Sequence, residues 1–264
     1  MAEWKIEELD RLPRLNNSIL IEGLPGIGNV GKIAVDFIVD EIKCKPTHSF
    51  FSYSFPHSVF VNDKNMVELP SIILSHKKIG KVNYLFLTGD IQPTDEVSCY
   101  EFCDKLLDLM QEMGCTEIIT TGGIGLPEQP KRPKVYCTGN EKRIISEYEK
   151  TCRLDNKLYG IVGPIIGVSG VLLGLAQKRN IPAIALLAET FGHPLHIGTA
   201  GAKEIIKTIT KKQRFKLDIK KFEKQISEID ADIIKKTAEM DEVSKQIATK
   251  KLKGKRGKEV SYIG

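Results

Sequence analysis

The stretch from Ser18 to Ile42, SILIEGLPGIGNVGKIAVDFIVDEI, constrains the fold more than any other in the chain. Ile19, Leu20 and Ile21 make an apolar run of strand length. Glycines follow, and an apolar pattern of helical period runs from about Gly31 to Ile42. A strand that turns through glycines into a helix is the opening unit of a layered α/β sheet. The segment also nearly spells two nucleotide fingerprints, Gly26-x-Gly28-x-x-Gly31 and Gly26-x-x-x-x-Gly31-Lys32. Each lacks the residue that does the chemistry. A phosphate loop needs Ser or Thr after its lysine to ligate magnesium, and Ile33 stands there. The dinucleotide pattern needs an acid roughly 20 residues on for the ribose hydroxyls, where this chain offers Ser, Phe and Tyr around Phe51. Pro25 stiffens the turn further. Gly23, Gly26, Gly28 and Gly31 are therefore read as structural, permitting unusual dihedrals and close packing. Anion binding at the helix N-terminus is the lesser alternative.

Downstream, short β-prone segments follow: HSFFSYSF, Ser58–Asn62, PSIILSHKK and KVNYLFLTGD, the last two joined as a hairpin near Ile79-Gly80-Lys81. Thr94–Gly114 carries the helical period through Phe102, Leu106, Leu109 and Met113, with Thr94 and Asp95 as start signals and Gly114 as the stop. TEIITTGG reads as a strand entering a second glycine loop at 122–125, and Thr138-Gly139-Asn140 as a hairpin turn. A third glycine-rich loop spans 160–170, before the strand IPAIALLAE and a final helix expected to begin near His196. Strands alternating with helices, interrupted by hairpins, predict a three-layer mixed sheet with helices on both faces. In such sheets functional loops lie beyond the carboxyl ends of the strands, which makes the three glycine loops candidates for one site.

Other constellations are incomplete. Glu189, His193 and His196 match no zinc spacing. Ser169, in Gly167-Val-Ser-Gly170, lacks the full spacing of a nucleophile elbow. The six cysteines, Cys44, Cys99, Cys103, Cys115, Cys137 and Cys152, include no CxxC, and read as reduced thiols of a cytoplasmic protein. No catalytic residue, metal or cofactor is assigned. The N-terminal MAEWKIEELDRLPRL is charged throughout, unlike a signal peptide. No apolar run reaches the roughly 18 residues a membrane span requires.

The net charge of +5 is uneven. From Lys203 onward, 18 basic residues face 10 acidic ones, while the rest of the chain is slightly acidic. From Leu217 the pattern changes to heptads. Ile219, Ile226, Ile233, Met240 and Ile247 recur every seven residues, interleaved with Phe222, Ile229, Lys236, Val243 and Lys250. That period predicts helix packing against a partner helix, with a helix folded back on the body as the alternative. Six of the nine residues from Lys250 to Lys258 are basic, so a solvated flexible tail is expected, ending in the apolar tip Val260, Tyr262 and Ile263. Without an aromatic platform inside the basic run, nucleic acid is not an expected partner. The chain thus divides into a body at 1–214, a helical extension at 215–252 and a basic tail at 253–264.

Through Asn17 to Ile209 the chain resembles the proteasome assembly chaperone family, its archaeal members in particular. The resemblance rests on LIEGLPGIGNVGKIAVDFIVDEI, TTGGIGLPE and GPIIGVSGVLLGLAQKRNIPAIALLAET, in that order. It implies an α/β fold related to nucleoside phosphorylases, no established catalysis, and homo-oligomers that engage proteasome α-subunits. Members and activators that dock on the α-ring can end in a hydrophobic–tyrosine–any motif; here Tyr262 is third from the end, after Ser261. The alternative function is a small-molecule enzyme, binding a nucleoside or anion in the glycine loops.

Overall fold

The computed structural model describes residues 4–62, 64–152, 154 and 163–226. Strands β1 (Trp4–Glu8) and β2 (Ser18–Gly23) precede a 3-10 turn (Ile27–Asn29) and helix α1 (Val30–Glu41). β3 (Lys45–Ser52), β4 (Phe60–Val61), β5 (Val67–Glu68), β6 (Ile72–Ile79) and β7 (Val82–Gly89) follow. Then come α2 (Glu96–Glu112), β8 (Cys115–Leu126), β9 (Val135–Gly139), α3 (Lys142–Cys152), α4 (Val168–Lys178), β10 (Ala183–Phe191) and α5 (Thr199–Gln213).

Eight strands form one mixed sheet in the order β1-β3-β6-β7-β2-β8-β10-β9. Its centre, β7-β2-β8-β10, is parallel, and the flanks are antiparallel. The parallel strands are buried on both faces and read as near-continuous apolar runs, which is why β2, β7 and β10 were visible in sequence. Alternate residues then go to opposite layers. Leu20, Leu85, Leu87, Ile118, Ala185 and Leu187 share a core with Phe102, Leu106 and Met110 of α2 and with Val168, Leu172 and Ala176 of α4. On the other face α1 packs with α5, burying Val35, Ile38, Ile205 and Ile209. Helices cover both faces, as expected.

Local chemistry sets the boundaries. The β6–β7 hairpin turns through Gly80 at φ +62°. The Asp95 side chain accepts from the Ser98 N–H to cap α2, and Gly114 at φ +61° follows its last turn. Three expectations are corrected. Residues 122–125 are not a loop but the last part of β8. Thr138-Gly139-Asn140 is no hairpin turn: β9 runs antiparallel to β10, and α3 starts at Lys142. Gly139 is there because a Cβ would meet the Ala183 carbonyl oxygen at 2.7 Å. Helix α5 begins at Thr199, three residues after His196.

The first compact unit runs to Leu217. Phe215 belongs to it, edge-on to Tyr84 at 4.7 Å and nearly buried. Beyond it residues 219–226 are helical, and carry Ile219, Phe222 and Ile226. The remaining heptad positions Ile229, Ile233, Met240, Val243 and Ile247, and the tip residues Val260, Tyr262 and Ile263, lie outside the described residues. A chain ending at Leu217 should unfold cooperatively by circular dichroism. Ending it at Arg214 removes the Phe215 ring and should cost about 3 kcal/mol. If both truncations lower the melting temperature equally, Phe215 does not anchor the body.

Candidate functional site

The glycine segments converge on one cavity at the carboxyl ends of the central parallel strands. It encloses about 460 Å³. Leu24, Pro25, Gly26 and Ile27 line it from the β2–α1 connection, Thr121 to Gly125 from β8, and Gly163 to Ile166 with Ser169 from the approach to α4. Gly31, Gln92 and Leu187 complete the wall.

The loop that resembled a nucleotide fingerprint is built for contact with protein. Gly28 takes φ +60°, a left-handed conformation suited to glycine. Gly31 sits where a Cβ would stand 2.5 Å from the Thr121 carbonyl oxygen, so α1 lies directly against β8. Gly23 would place a Cβ 2.5 Å from the side chain of Val35. Lys32, the would-be phosphate lysine, pairs with Asp36 one turn along at 2.8 Å. Gly26 alone of the four has open space around it.

Behind the wall lies Glu22, a fully buried carboxylate in the middle of the sheet. Its Oε1 accepts from the Leu24 N–H at 2.9 Å, and its Oε2 from the Ser169 hydroxyl at 2.9 Å. Burial pushes its pKa up to about 7, with the hydrogen bonds from Leu24, Ser169 and Thr121 opposing that rise. The Thr121 hydroxyl donates to the Glu22 carbonyl at 2.8 Å. Gln92 fastens the two sides of the cavity together: its Nε2 donates to the Pro25 carbonyl at 2.7 Å, and its Oε1 accepts from the Val168 N–H at 3.2 Å. Gly167, at φ +84°, gives the room this requires, because a Cβ there would stand 2.4 Å from Oε1. Sequence reading passed over both Glu22 and Gln92. The signal for Glu22 was a lone acid inside an otherwise apolar strand run.

The remaining candidates fall to structural roles. Glu189 accepts from the Lys134 N–H at 2.9 Å and the Tyr136 hydroxyl at 3.0 Å. The rings of His193 and His196 lie against Phe191, 5.7 and 5.6 Å away. Cys99 and Cys103 are free thiols buried on α2. Among the described residues no group of His, Cys, Asp and Glu is arranged to hold a metal, and no helix is long and apolar enough to cross a membrane.

This architecture is shared. The Pyrococcus furiosus protein PbaB, an archaeal proteasome activator, superposes with a TM-score of 0.79 at 30% identity, covering 89% of this chain and 99% of that one. PbaA of the same organism, an archaeal homolog of proteasome-assembly chaperone, has the same fold at TM-score 0.74 and 22% identity, over 93% and 97% of the two chains. A protein of Methanocaldococcus jannaschii is 29% identical over 214 residues, 80% of each chain. The PAC2 family matches residues 20–237, a span that holds the whole cavity and both helical layers, and the chain belongs to that family.

Proposed function

We propose that this protein is a chaperone or adaptor of the proteasome, binding proteasome α-subunits by surface recognition as a homo-oligomer. The observation that carries the reading is the 30% identity to an archaeal proteasome activator across 99% of that activator's chain. Family membership and the common fold with a proteasome-assembly chaperone homolog support it.

The surface of the body supplies a further argument. The β4–β5 hairpin and its flanks expose Val59, Phe60, Val61, Met66, Val67 and Leu69. Among the described residues the two strands pair only with each other, Phe60 with Glu68 and Val61 with Val67. A two-stranded ribbon of this length is marginal in water by itself, and an apolar cluster of this kind marks a protein contact. The heptad positions Ile219, Phe222, Ile226, Ile229, Ile233, Met240, Val243 and Ile247 are proposed to pack helices within the oligomer.

The apolar tip is proposed to dock on the α-ring. The basic run from Lys250 to Lys258 is proposed to serve as the linker that presents Val260, Tyr262 and Ile263. Tyr262 is the anchor, because its ring buries much area at small rotamer cost while its hydroxyl keeps a partner. Several tips on one oligomer add through effective concentration. Capture of α-subunits by the immobilised full chain should fall at least about tenfold on deleting Val260–Gly264, and nearly as far on Tyr262→Ala. Replacing the tail lysines should do less. Capture unchanged by the deletion would leave the body as the whole recognition surface.

A further inference from the structure

The cavity at the ends of β2, β8 and β10 is larger than the packing of its walls requires, and at about 460 Å³ it falls within the range of small-molecule sites. Three features define what it would accept. The first is an open backbone edge. β10 accompanies β8 as far as Leu126, but β2 leaves it after Thr120. Beyond Thr121, whose carbonyl lies against Gly31, that edge of β8 has no strand beside it among the described residues, and Gly122, Gly123 and Gly125 bring backbone to the cavity wall. A strand edge presents N–H and C=O groups in alternation, the pattern that an extended peptide or any amide can match.

The second feature is Ser169. Its hydroxyl proton is engaged with Glu22, so its oxygen lone pairs remain to accept from a group in the cavity. The third is charge. Among the described residues no Lys, Arg or His lines the cavity, and the carboxyl behind Ser169 adds negative potential whenever it is ionised. A phosphate or carboxylate would enter without a counter-charge. The apolar walls at Leu24, Ile124, Ile165 and Leu187 favour a flat or aliphatic body instead.

We propose that the cavity is a binding site for a small uncharged molecule bearing a primary carboxamide. Its C=O and one N–H lie on the open edge of β8, and Ser169 accepts a hydrogen bond from its second N–H. This site is independent of the binding of α-subunits, and either can fail without the other.

The test uses nicotinamide as the probe and nicotinate, its isosteric anion, as the control, each at about 10 mM, a concentration suited to fragment-sized ligands. Amide resonances of the full chain are followed by NMR. Nicotinamide should shift Gly122, Gly123, Gly125 and Ser169, while nicotinate and inorganic phosphate should leave them in place. Ser169→Ala should weaken nicotinamide about five- to tenfold, the value of one hydrogen bond. Ile166→Trp, at an exposed rim position and therefore harmless to folding, should block entry and carries the test if the serine variant does not fold. Unmoved glycine amides, equal binding of nicotinate, or an affinity unchanged in the variants would overturn the proposal.

Discussion

Gly31→Ala should destabilise the protein by about 3 kcal/mol or more, a fall in melting temperature on the order of 10 °C for a domain of this size. The added methyl would stand 2.5 Å from the backbone oxygen of Thr121 and 2.6 Å from its Oγ1. Both belong to the centre of the sheet, so relief requires moving α1 as a body. Gly26→Ala should be nearly silent, because nothing lies within 4 Å of its Cβ position and its backbone is extended. Lys32→Ala should cost little, since it loses only a partly exposed helix-surface ion pair. The contrast separates a packing turn from a phosphate loop. In a phosphate loop Gly26 and Lys32 would matter for binding ATP, and calorimetry should detect no micromolar ATP or NAD. Micromolar affinity abolished by Lys32→Ala would restore the nucleotide reading.

The second large effect concerns Glu22. Its pKa stands near 4.5 in an unfolded chain and is raised to about 7 in the folded one. Between those values the folded state keeps a proton that the unfolded state releases. Stability therefore falls as pH rises from about 4.5 to 7, and levels off above. The loss attributable to this carboxyl is on the order of 3 kcal/mol. Glu22→Gln imitates the protonated form, with its oxygen placed for the Leu24 N–H and its amide able to donate to Ser169. Denaturant melts of the variant should show this component of the slope removed, and greater stability than the parent at pH 8. A variant less stable than the parent at pH 8, with the pH slope intact, would mean that the ionised carboxylate is the form the fold requires.

The sequence disclosed those parts of the fold whose pattern comes from burial on two faces or from a turn that demands glycine. Ser18–Ile42 was legible because β2 is apolar throughout and α1 keeps a helical stripe. The β6–β7 hairpin was legible at Gly80. Strand β1 was not, because as a sheet edge it buries only Trp4 and exposes Lys5, Ile6, Glu7 and Glu8. Charged residues there protect an open edge and erase the alternation that would announce a strand. The glycines of β8 were misread as a loop for a related reason. Gly123 is glycine because the Ile27 carbonyl oxygen would lie 2.4 Å from its Cβ, a tertiary contact that no local pattern records. The convergence of the glycine segments on one cavity was foreseeable from the rule about strand ends. The staple made by Gln92 and the burial of Glu22 depend on partners 67 and 147 residues away in the chain, and only the folded structure reveals them.

Recognition of proteasome α-subunits by an oligomer of this chain is tested most directly by native mass spectrometry of the full chain mixed with purified α-subunits of Pyrococcus furiosus. Assemblies that contain α-subunits together with more than one copy of this protein are the expected result. Spectra holding only the separate species, at concentrations where the α-subunits assemble among themselves, would contradict it.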